Sequence, residues 1–179
     1  MKRTILFVAL VVITLSAMSQ TKSGAIKVNP IGLLFGFANA SYEKALGANS
    51  SAQLGARLIF ADFGSTELSG FGFRPEYRRY PNGALNRFYW GPVINFDSFT
   101  AKDSFLDSEA NVTSLGGGLK IGMNWLLGQK ENVVIDLGLG AQYLNTSVDV
   151  KLGSENGFDL GSFDGVSPIL NFSIGYAFN

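Results

Sequence analysis

The chain has 179 residues, 46% of them hydrophobic, with 14 basic and 14 acidic side chains and therefore no formal net charge. It contains neither cysteine nor histidine, which excludes disulfides, thiolate metal sites and every catalytic mechanism that depends on a histidine base. A nucleic-acid partner would require a clustered basic surface, and since the sequence has none, we expect no such partner.

The first nineteen residues have the pattern of a secretory signal peptide. The basic start, the apolar run and the small-x-small cleavage site are, in order, Lys2-Arg3, residues 5–15 and Ala17-Met18-Ser19. The apolar run of about 11 residues is shorter than the ~20 that a membrane-spanning helix needs, so a retained anchor helix is the less favoured alternative. Removal of residues 1–19 leaves twelve basic and fourteen acidic side chains, a net charge of −2, and one domain at 20–179.

Beyond this leader, eight segments alternate apolar with polar or glycine residues, which is the period-two pattern of β-strands. We predict strands at 24–30, 37–46, 52–62, 70–80, 87–97, 112–126, 132–144 and 165–178. The tight connections are 47–51, 81–86 and 127–131, whereas 98–111 and 145–164 are long and polar. Short turns on one side and longer loops on the other are typical of bacterial outer-membrane barrels, whose short side is periplasmic. The short connection at 31–36, which this topology places outside, fits least well.

The two faces of each predicted strand differ in a way that indicates their surroundings. In the last strand one face carries Pro168, Leu170, Phe172, Ile174, Tyr176 and Phe178, and the other is small and polar apart from Ile169. An apolar outside around a polar interior is typical of a barrel in lipid, whereas a soluble barrel of lipocalin type points its aromatic face inward. The sequence therefore predicts an all-β fold, an eight-stranded antiparallel up-and-down transmembrane β-barrel in the outer membrane of a Gram-negative cell.

Aromatic residues near the predicted strand ends support this orientation. Amphipathic rings favour the headgroup zone, so two aromatic girdles are expected at the membrane interfaces. The predicted interface residues are Tyr42, Tyr77, Trp90, Trp125 and Tyr176 on the periplasmic side and Tyr143 on the opposite side. The alternative is that these rings form the core of a soluble sandwich.

Several motifs resemble a family of uncharacterised outer-membrane β-barrel domains. They are Asn29-Pro30-Ile31-Gly32-Leu33-Leu34-Phe35-Gly36, Ser41-Tyr42-Glu43-Lys44, Phe73-Arg74-Pro75-Glu76-Tyr77-Arg78-Arg79-Tyr80 and Phe88-Tyr89-Trp90-Gly91-Pro92. In architecture the mature chain is similar to small barrels of the OmpX, OmpW and OmpA-membrane-domain type. The resemblance implies a location rather than a reaction. It implies a monomer whose partners are membrane lipids, lipopolysaccharide and the barrel-assembly machinery.

Charged side chains fall on the strand faces that are predicted to point inward. They are Lys27, Glu43, Arg57, Arg74, Glu76, Arg78, Arg87, Asp97, Lys120 and Asp136. Glu76 is expected between Arg74 and Arg78, with Arg57 close by on the neighbouring strand. Lys120 and Asp136 are expected to form a diagonal cross-strand pair.

Buried charges persist only when they are paired, and an eight-stranded barrel is just wide enough to be filled by side chains. We therefore predict an ion-pair network that fills the lumen. A ligand-binding or catalytic carboxylate and a narrow polar permeation path are the alternatives.

The predicted function is that of a non-enzymatic outer-membrane barrel whose external loops, chiefly 98–111 and 145–164, contact a partner, a lipid or a neighbouring cell. The alternative is a narrow channel or a lateral transporter for small or hydrophobic molecules. Strand glycines at 116–118, 122, 138 and 140 give room to inward Arg and Lys side chains or mark a gap in the wall. No cofactor or metal site is predicted, because the acidic loop residues match no calcium-loop pattern.

Overall fold

The computed structural model describes residues 22–105, 107–152 and 164–179. Within them eight antiparallel strands form a closed barrel in chain order, with β1 paired to β8. The strands are β1 (Gly24–Asn29), β2 (Phe37–Gly47), β3 (Ser50–Phe63), β4 (Thr66–Arg79), β5 (Arg87–Asp103), β6 (Ser108–Leu127), β7 (Val133–Leu152) and β8 (Gly165–Phe178). The predicted eight-stranded, antiparallel, up-and-down barrel is confirmed. The predicted signal peptide at 1–19 lies outside the described residues.

One short helix, α1 (Pro30–Leu34), joins β1 to β2 where the sequence predicted only a connection. Asn29 caps it, because its side-chain oxygen accepts the backbone N–H of Gly32 at 2.9 Å, and Pro30 at the first position needs no such partner. Over the described residues, no helix has the length and apolar character that crossing a membrane requires.

The side chains of the wall alternate between outside and inside as the period-two pattern predicts. On β3, Leu54 and Leu58 are exposed, whereas Gln53, the residue before Leu54, is buried. Large apolar side chains dominate the outside: Leu119 is 65% exposed and Leu170 is 81% exposed. Trp90 also points outward and is 49% exposed. The barrel therefore has a largely apolar exterior and encloses charged residues such as Arg78 and Asp136.

The barrel has two different ends. The turn end, which carries the turns after β2, β4 and β6, also holds both ends of the described barrel, at β1 and β8. A buried apolar cluster of Ala25, Leu85, Val134 and Ala177 lies at this end. Leu85 belongs to the turn after β4 and contributes the largest side chain of the cluster. This cluster occupies the mouth of the barrel at the turn end.

The opposite end, the extended end, differs from the prediction. Residues 98–111 were expected to be a loop, but β5 continues to Asp103 and β6 begins at Ser108, with pairing from Asp97↔Ser114 to Asp103↔Ser108. β7 likewise continues to Leu152, so that 145–152 is strand rather than loop. Residues 153–163 of that predicted loop lie outside the described residues. The asymmetry between the two ends is one of strand length, since Gly64 and Ser65 alone separate β3 from β4.

The wall is interrupted beside α1. Because β1 ends at Asn29, it pairs with β8 only as far as Val28↔Ile174. Among the described residues, 165–173 of β8 pair with β7 alone, and α1 lies against them in place of a strand. Leu33 and Leu34 of this helix are exposed.

The register of the extended end can be tested with cysteine pairs, because the natural chain has no cysteine. Thr100 and Asn111 are Cα partners whose side chains are hydrogen-bonded at 3.0 Å. T100C/N111C is therefore expected to form a disulfide in the folded barrel. T100C/T113C, on the same face but two residues out of register, is the matched control. Equal oxidation of both pairs in non-reducing gels would contradict the pairing and favour a loop.

Candidate functional site

Arg78 of β4 is the centre of the charged interior. It is 1% exposed and contacts three carboxylates. Its Nε and Nη2 donate to Glu76 at 2.9 and 2.8 Å, and its Nη1 donates to Glu43 at 3.0 Å and to Asp136 at 2.8 Å. Since the three acids come from β4, β2 and β7, one guanidinium connects strands on different sides of the barrel.

Glu43 of β2 accepts hydrogen bonds through both carboxylate oxygens. Lys27 Nζ and Arg78 Nη1 donate to Oε2 at 2.5 and 3.0 Å. The hydroxyl groups of Ser51 and Tyr80 donate to Oε1 at 2.5 and 2.6 Å. A fully buried carboxylate is stable only when such donors replace its water. Glu43 has four of them.

Asp136 of β7 is held from three directions. Lys27 and Arg78 donate to Oδ2 at 2.7 and 2.8 Å, and the Tyr89 hydroxyl donates to Oδ1 at 2.7 Å. The ring of Tyr89 also lies beneath Arg78, with its centroid 4.2 Å from the guanidinium carbon. Tyr89 therefore contributes both a hydrogen bond and a cation–π contact.

Lys120 of β6 completes this group by donating to Glu76 Oε1 at 2.5 Å. The predicted pair of Lys120 with Asp136 is wrong, because Lys120 pairs with Glu76 instead. The register places Asp136 opposite Asn124 and Lys120 opposite Gly140, so the two charges are separated along the strands. Lys120 instead reaches across the lumen to β4.

These six residues form what we call the closed network. Its members are Lys27, Arg78 and Lys120 with Glu43, Glu76 and Asp136. Three positive charges balance three negative charges, and each of the six carboxylate oxygens accepts at least one hydrogen bond. The closed network therefore brings Glu43, Glu76, Arg78, Lys120 and Asp136, all of which the sequence placed on inward strand faces, into one group of paired and hydrogen-bonded side chains.

The turn after β4 covers the closed network at the turn end. Asn124 Nδ2 donates to the carbonyl oxygen of Leu85 at 3.1 Å and approaches Tyr80 Oη at 3.5 Å. Burial and the neighbouring Glu43 carboxylate raise the pKa of the Tyr80 hydroxyl well above its usual value, so this group stays a donor. Leu85 and the apolar cluster around it lie below.

A second charged group, the upper cluster, lies on the extended side of the closed network. It consists of Arg57, Arg74 and Asp97, with Asn39 and Asn95. Arg57 contacts Asp97 at 3.3 Å, and its Nε donates to Asn39 at 2.9 Å. Arg74 donates through Nε to Asn95 at 2.9 Å. A cavity of about 80 Å³ lies against these side chains.

The two predicted neighbours of Glu76 differ in outcome. Arg74 lies on the same face of β4 as Glu76, as predicted, and both line one cavity, but Arg74 donates to an amide and forms no ion pair with Glu76 among the described residues. Arg57 contacts Asp97 rather than Glu76, because it lies opposite Gly72, further towards the extended end.

Arg87 is the one predicted network residue that the structure places outside the lumen. It is exposed, and no ion pair among the described residues includes it. Its backbone lies in the left-handed region (φ 62°) at the first position of β5. That conformation breaks the period-two alternation, so Arg87 and Phe88 are both exposed.

All the predicted interface aromatics are exposed or half-buried. Tyr42, Tyr77 and Trp90 are exposed near the turn end, and Trp125 and Tyr176 are half-buried there. Tyr143 is exposed, but it lies mid-strand rather than near a strand end, because β7 continues to Leu152.

Sequence reasoning missed the hydroxyl donors of the closed network. Tyr89 was placed on the inner face without a role, and Tyr80 and Ser51 were not singled out. The signal for Tyr89 is the pair Gly122 and Gly138, since a Cβ added at these positions would lie 2.5 and 2.7 Å from Tyr89 Oη. These glycines give room to an aromatic ring rather than only to Lys and Arg.

The comparisons with known proteins show a family without an assigned activity. The model of the family described as "Protein of unknown function (DUF3575)" matches residues 5–154. No curated protein and no solved structure matches the chain. Within the described ranges no group of three or more acidic side chains is arranged to hold a metal ion.

Removing Arg78 is expected to destabilise the barrel strongly. R78Q leaves three buried carboxylates short of a donor, a cost of about 3–5 kcal/mol in the free energy of unfolding. R79Q, at the exposed next residue, is the control and is expected to change it by less than about 0.5 kcal/mol. Urea unfolding in detergent, followed by tryptophan fluorescence, measures both. Equal stabilities would mean that the closed network does not hold the barrel together.

Gly122 is expected to be intolerant of a side chain. G122A forces Tyr89 and the backbone at Leu137 to move and is expected to cost about 1–3 kcal/mol in the same unfolding measurement. At the exposed Gly117 the nearest heavy atom to an added Cβ is the Val93 oxygen at 3.6 Å, an ordinary contact. G117A is therefore the control and is expected to be neutral. A loss of stability in both variants would point to strand flexibility instead of the space for Tyr89.

Proposed function

Because the chain belongs to the DUF3575 family, whose description assigns no activity, we propose its function from the barrel itself. The protein is a non-enzymatic β-barrel of the outer membrane, with a lumen closed by side chains. Its turn end faces the periplasm, and its extended end projects outside the cell for surface interactions. Membrane lipids and lipopolysaccharide surround it, the barrel-assembly machinery inserts it, and it acts as a monomer.

The apolar outer surface is the observation that carries the membrane assignment. Exposed leucine, isoleucine and phenylalanine side chains occur on every strand from β3 to β8. A soluble monomer rarely exposes apolar patches above a few hundred Å². Hydrocarbon is the environment that such a belt matches, and the strand pairing satisfies most of the backbone of the wall, apart from the edge of β8 beside α1. Exposed Tyr and Trp rings near the turn end suit the headgroup zone.

The closed network supports a lumen that does not conduct. Arg78 and its three carboxylate partners are almost fully buried, and Tyr80 and Leu85 lie below them. An ion passing through would have to break several charge-assisted hydrogen bonds in a low-dielectric site. This arrangement favours the plugged barrel over the narrow channel that remained the alternative.

The extended end supports a role in surface contacts. The extension of β5, β6 and β7 carries polar residues on both faces, including the pairs of Lys102 and Lys151 with Glu109 at 3.2 and 3.8 Å. Such a surface belongs in water rather than in lipid. At 98–103, 108–111 and 145–152 it is a paired sheet rather than the long loops that the sequence suggested, so strand edges and outer faces are available to a partner there.

Reconstitution tests both halves of this proposal. The folded protein is expected to need detergent and to migrate faster in gels before heating than after. In planar bilayers it is expected to show no single-channel steps under conditions in which an open porin, the positive control, conducts. A monomer that stays soluble without detergent would contradict the membrane assignment. Regular conductance steps would contradict the closed lumen and favour the channel.

A further inference from the structure

The charges of the closed network and the upper cluster, taken together, do not balance. The closed network is neutral, but the upper cluster adds Arg57 and Arg74 against Asp97 alone. The nine charged side chains of these two groups are thus five cations and four anions. A net charge of +1 enclosed by a barrel wall is costly unless a counterion or water compensates it. The excess lies on the side of the extended end.

Arg74 forms no ion pair within 4 Å among the described residues, although Glu76 and Asp97 line the same cavity. Its Nε donates to Asn95 Oδ1. The two terminal nitrogens of its guanidinium have no hydrogen-bond partner in the same part of the chain, and the residue lines the cavity. A guanidinium presents these nitrogens as a planar fork that fits two oxygens of one anion.

A second polar side chain lines the same cavity without a partner. Gln53 is 6% exposed, and its Oε1 is buried without a hydrogen bond among the described residues. The amide presents either its oxygen or, after a half-turn, its NH2 group to the cavity, because the two have nearly the same shape. A buried amide that the protein leaves unsatisfied is an observation independent of the charge excess.

Asp97 forms only a long ion pair with Arg57. Their closest contact is 3.3 Å, longer than the 2.5–2.8 Å contacts of most of the closed network. Asp97 is also bonded to the Asn95 amide at 2.5 Å. Glu76, which lines the cavity too, is already engaged by Arg78 and Lys120. Neither of the carboxylates that line the cavity forms an ion pair with Arg74 in the described part of the chain.

The cavity is open towards the extended end. The Arg57 side chain is 27% exposed, so solvent reaches the cavity from that end. Asn29, Asn39 and Asn171 line the cavity as well, close to the place where β1 ends and β8 pairs with β7 alone.

We propose that this cavity binds a monoanionic phosphate group between Arg74 and Arg57, with Gln53 as a further polar partner. One negative charge balances the excess of one cation in the closed network and the upper cluster. A volume of about 80 Å³ exceeds the ~10–15 Å³ that one water needs by the same measure, and it accommodates a small oxyanion. The shared chemistry is a phosphodiester or a singly charged phosphate, which comes either from a lipid headgroup or from solution. The inference does not depend on which environment surrounds the barrel.

The test uses the folded full-length protein and the probe dimethyl phosphate, which carries one negative charge. Calorimetric titration in a neutral detergent is expected to show one site. R74Q is expected to weaken binding about tenfold or more, as the loss of charge-assisted hydrogen bonds implies. R79Q removes the same charge from the exposed outer face of β4 and is expected to bind like the natural protein.

A second arm identifies the source of the phosphate. The protein is extracted from vesicles of phosphatidylcholine with phosphatidylglycerol, and retained lipid is counted by native mass spectrometry. Retention of phosphatidylglycerol that R74Q loses and R79Q keeps assigns the site to a lipid headgroup. Binding of dimethyl phosphate without lipid retention assigns it to a free anion. Either result supports the site.

Folding of the variant is checked by its heat-dependent gel migration. Since Arg74 has no carboxylate partner, R74Q leaves no carboxylate unpaired and is expected to fold. If it does not, R74K replaces it, keeping the charge but losing the fork, and a loss of binding is again expected. The proposal is overturned if neither probe binds, or if binding weakens equally in the Arg74 and Arg79 variants, which would indicate only general charge attraction.

Discussion

The structure depends on the neutralisation of charge inside a barrel that has room for little else. Arg78 contacts carboxylates from three strands, and Lys27 and Lys120 add two further strands, β1 and β6, to the network. The closed network thus ties β1, β2, β4, β6 and β7 to one another across the lumen. A slip of one residue in any of these strands would turn a charge outward and leave its partner unpaired. The register of the wall and the pairing of the interior therefore require each other.

The extent to which the sequence predicts this fold varies with the surroundings of each strand. In β8 a large apolar face opposes a small polar one, and its predicted bounds agree with the structure. In the extension of β5, residues such as Ser98 and Thr100 point to one side and Asp97 and Phe99 to the other, so neither face is uniformly apolar. The contrast that reveals a strand in lipid is absent there, although the backbone pairing continues unchanged.

The sequence predicts the strand face on which most residues of the candidate site lie, but it does not predict which of them form ion pairs with each other. Alternation alone places Glu76, Arg78 and Asp136 inside, because side chains two residues apart share a face. Alternation does not give the position of each side chain along the barrel axis, which depends on the stagger between strands. For this reason Lys120 was assigned to Asp136 rather than to Glu76, and Arg57 to Glu76 rather than to Asp97. Arg87 failed for a different reason, a left-handed backbone conformation that no alternation rule contains.

The two halves of the lumen follow from how many donors each carboxylate receives. In the closed network Lys27, Arg78, Lys120, Tyr80, Tyr89 and Ser51 supply every carboxylate oxygen, so that half excludes further ligands. The upper cluster has one carboxylate for two guanidinium groups, and the surrounding amides of Asn39, Asn95 and Gln53 carry no charge. A cation that is largely removed from water is costly without a counter-charge. The rule by which the charges of the closed network are paired therefore supports our proposal that the upper cluster binds an anion.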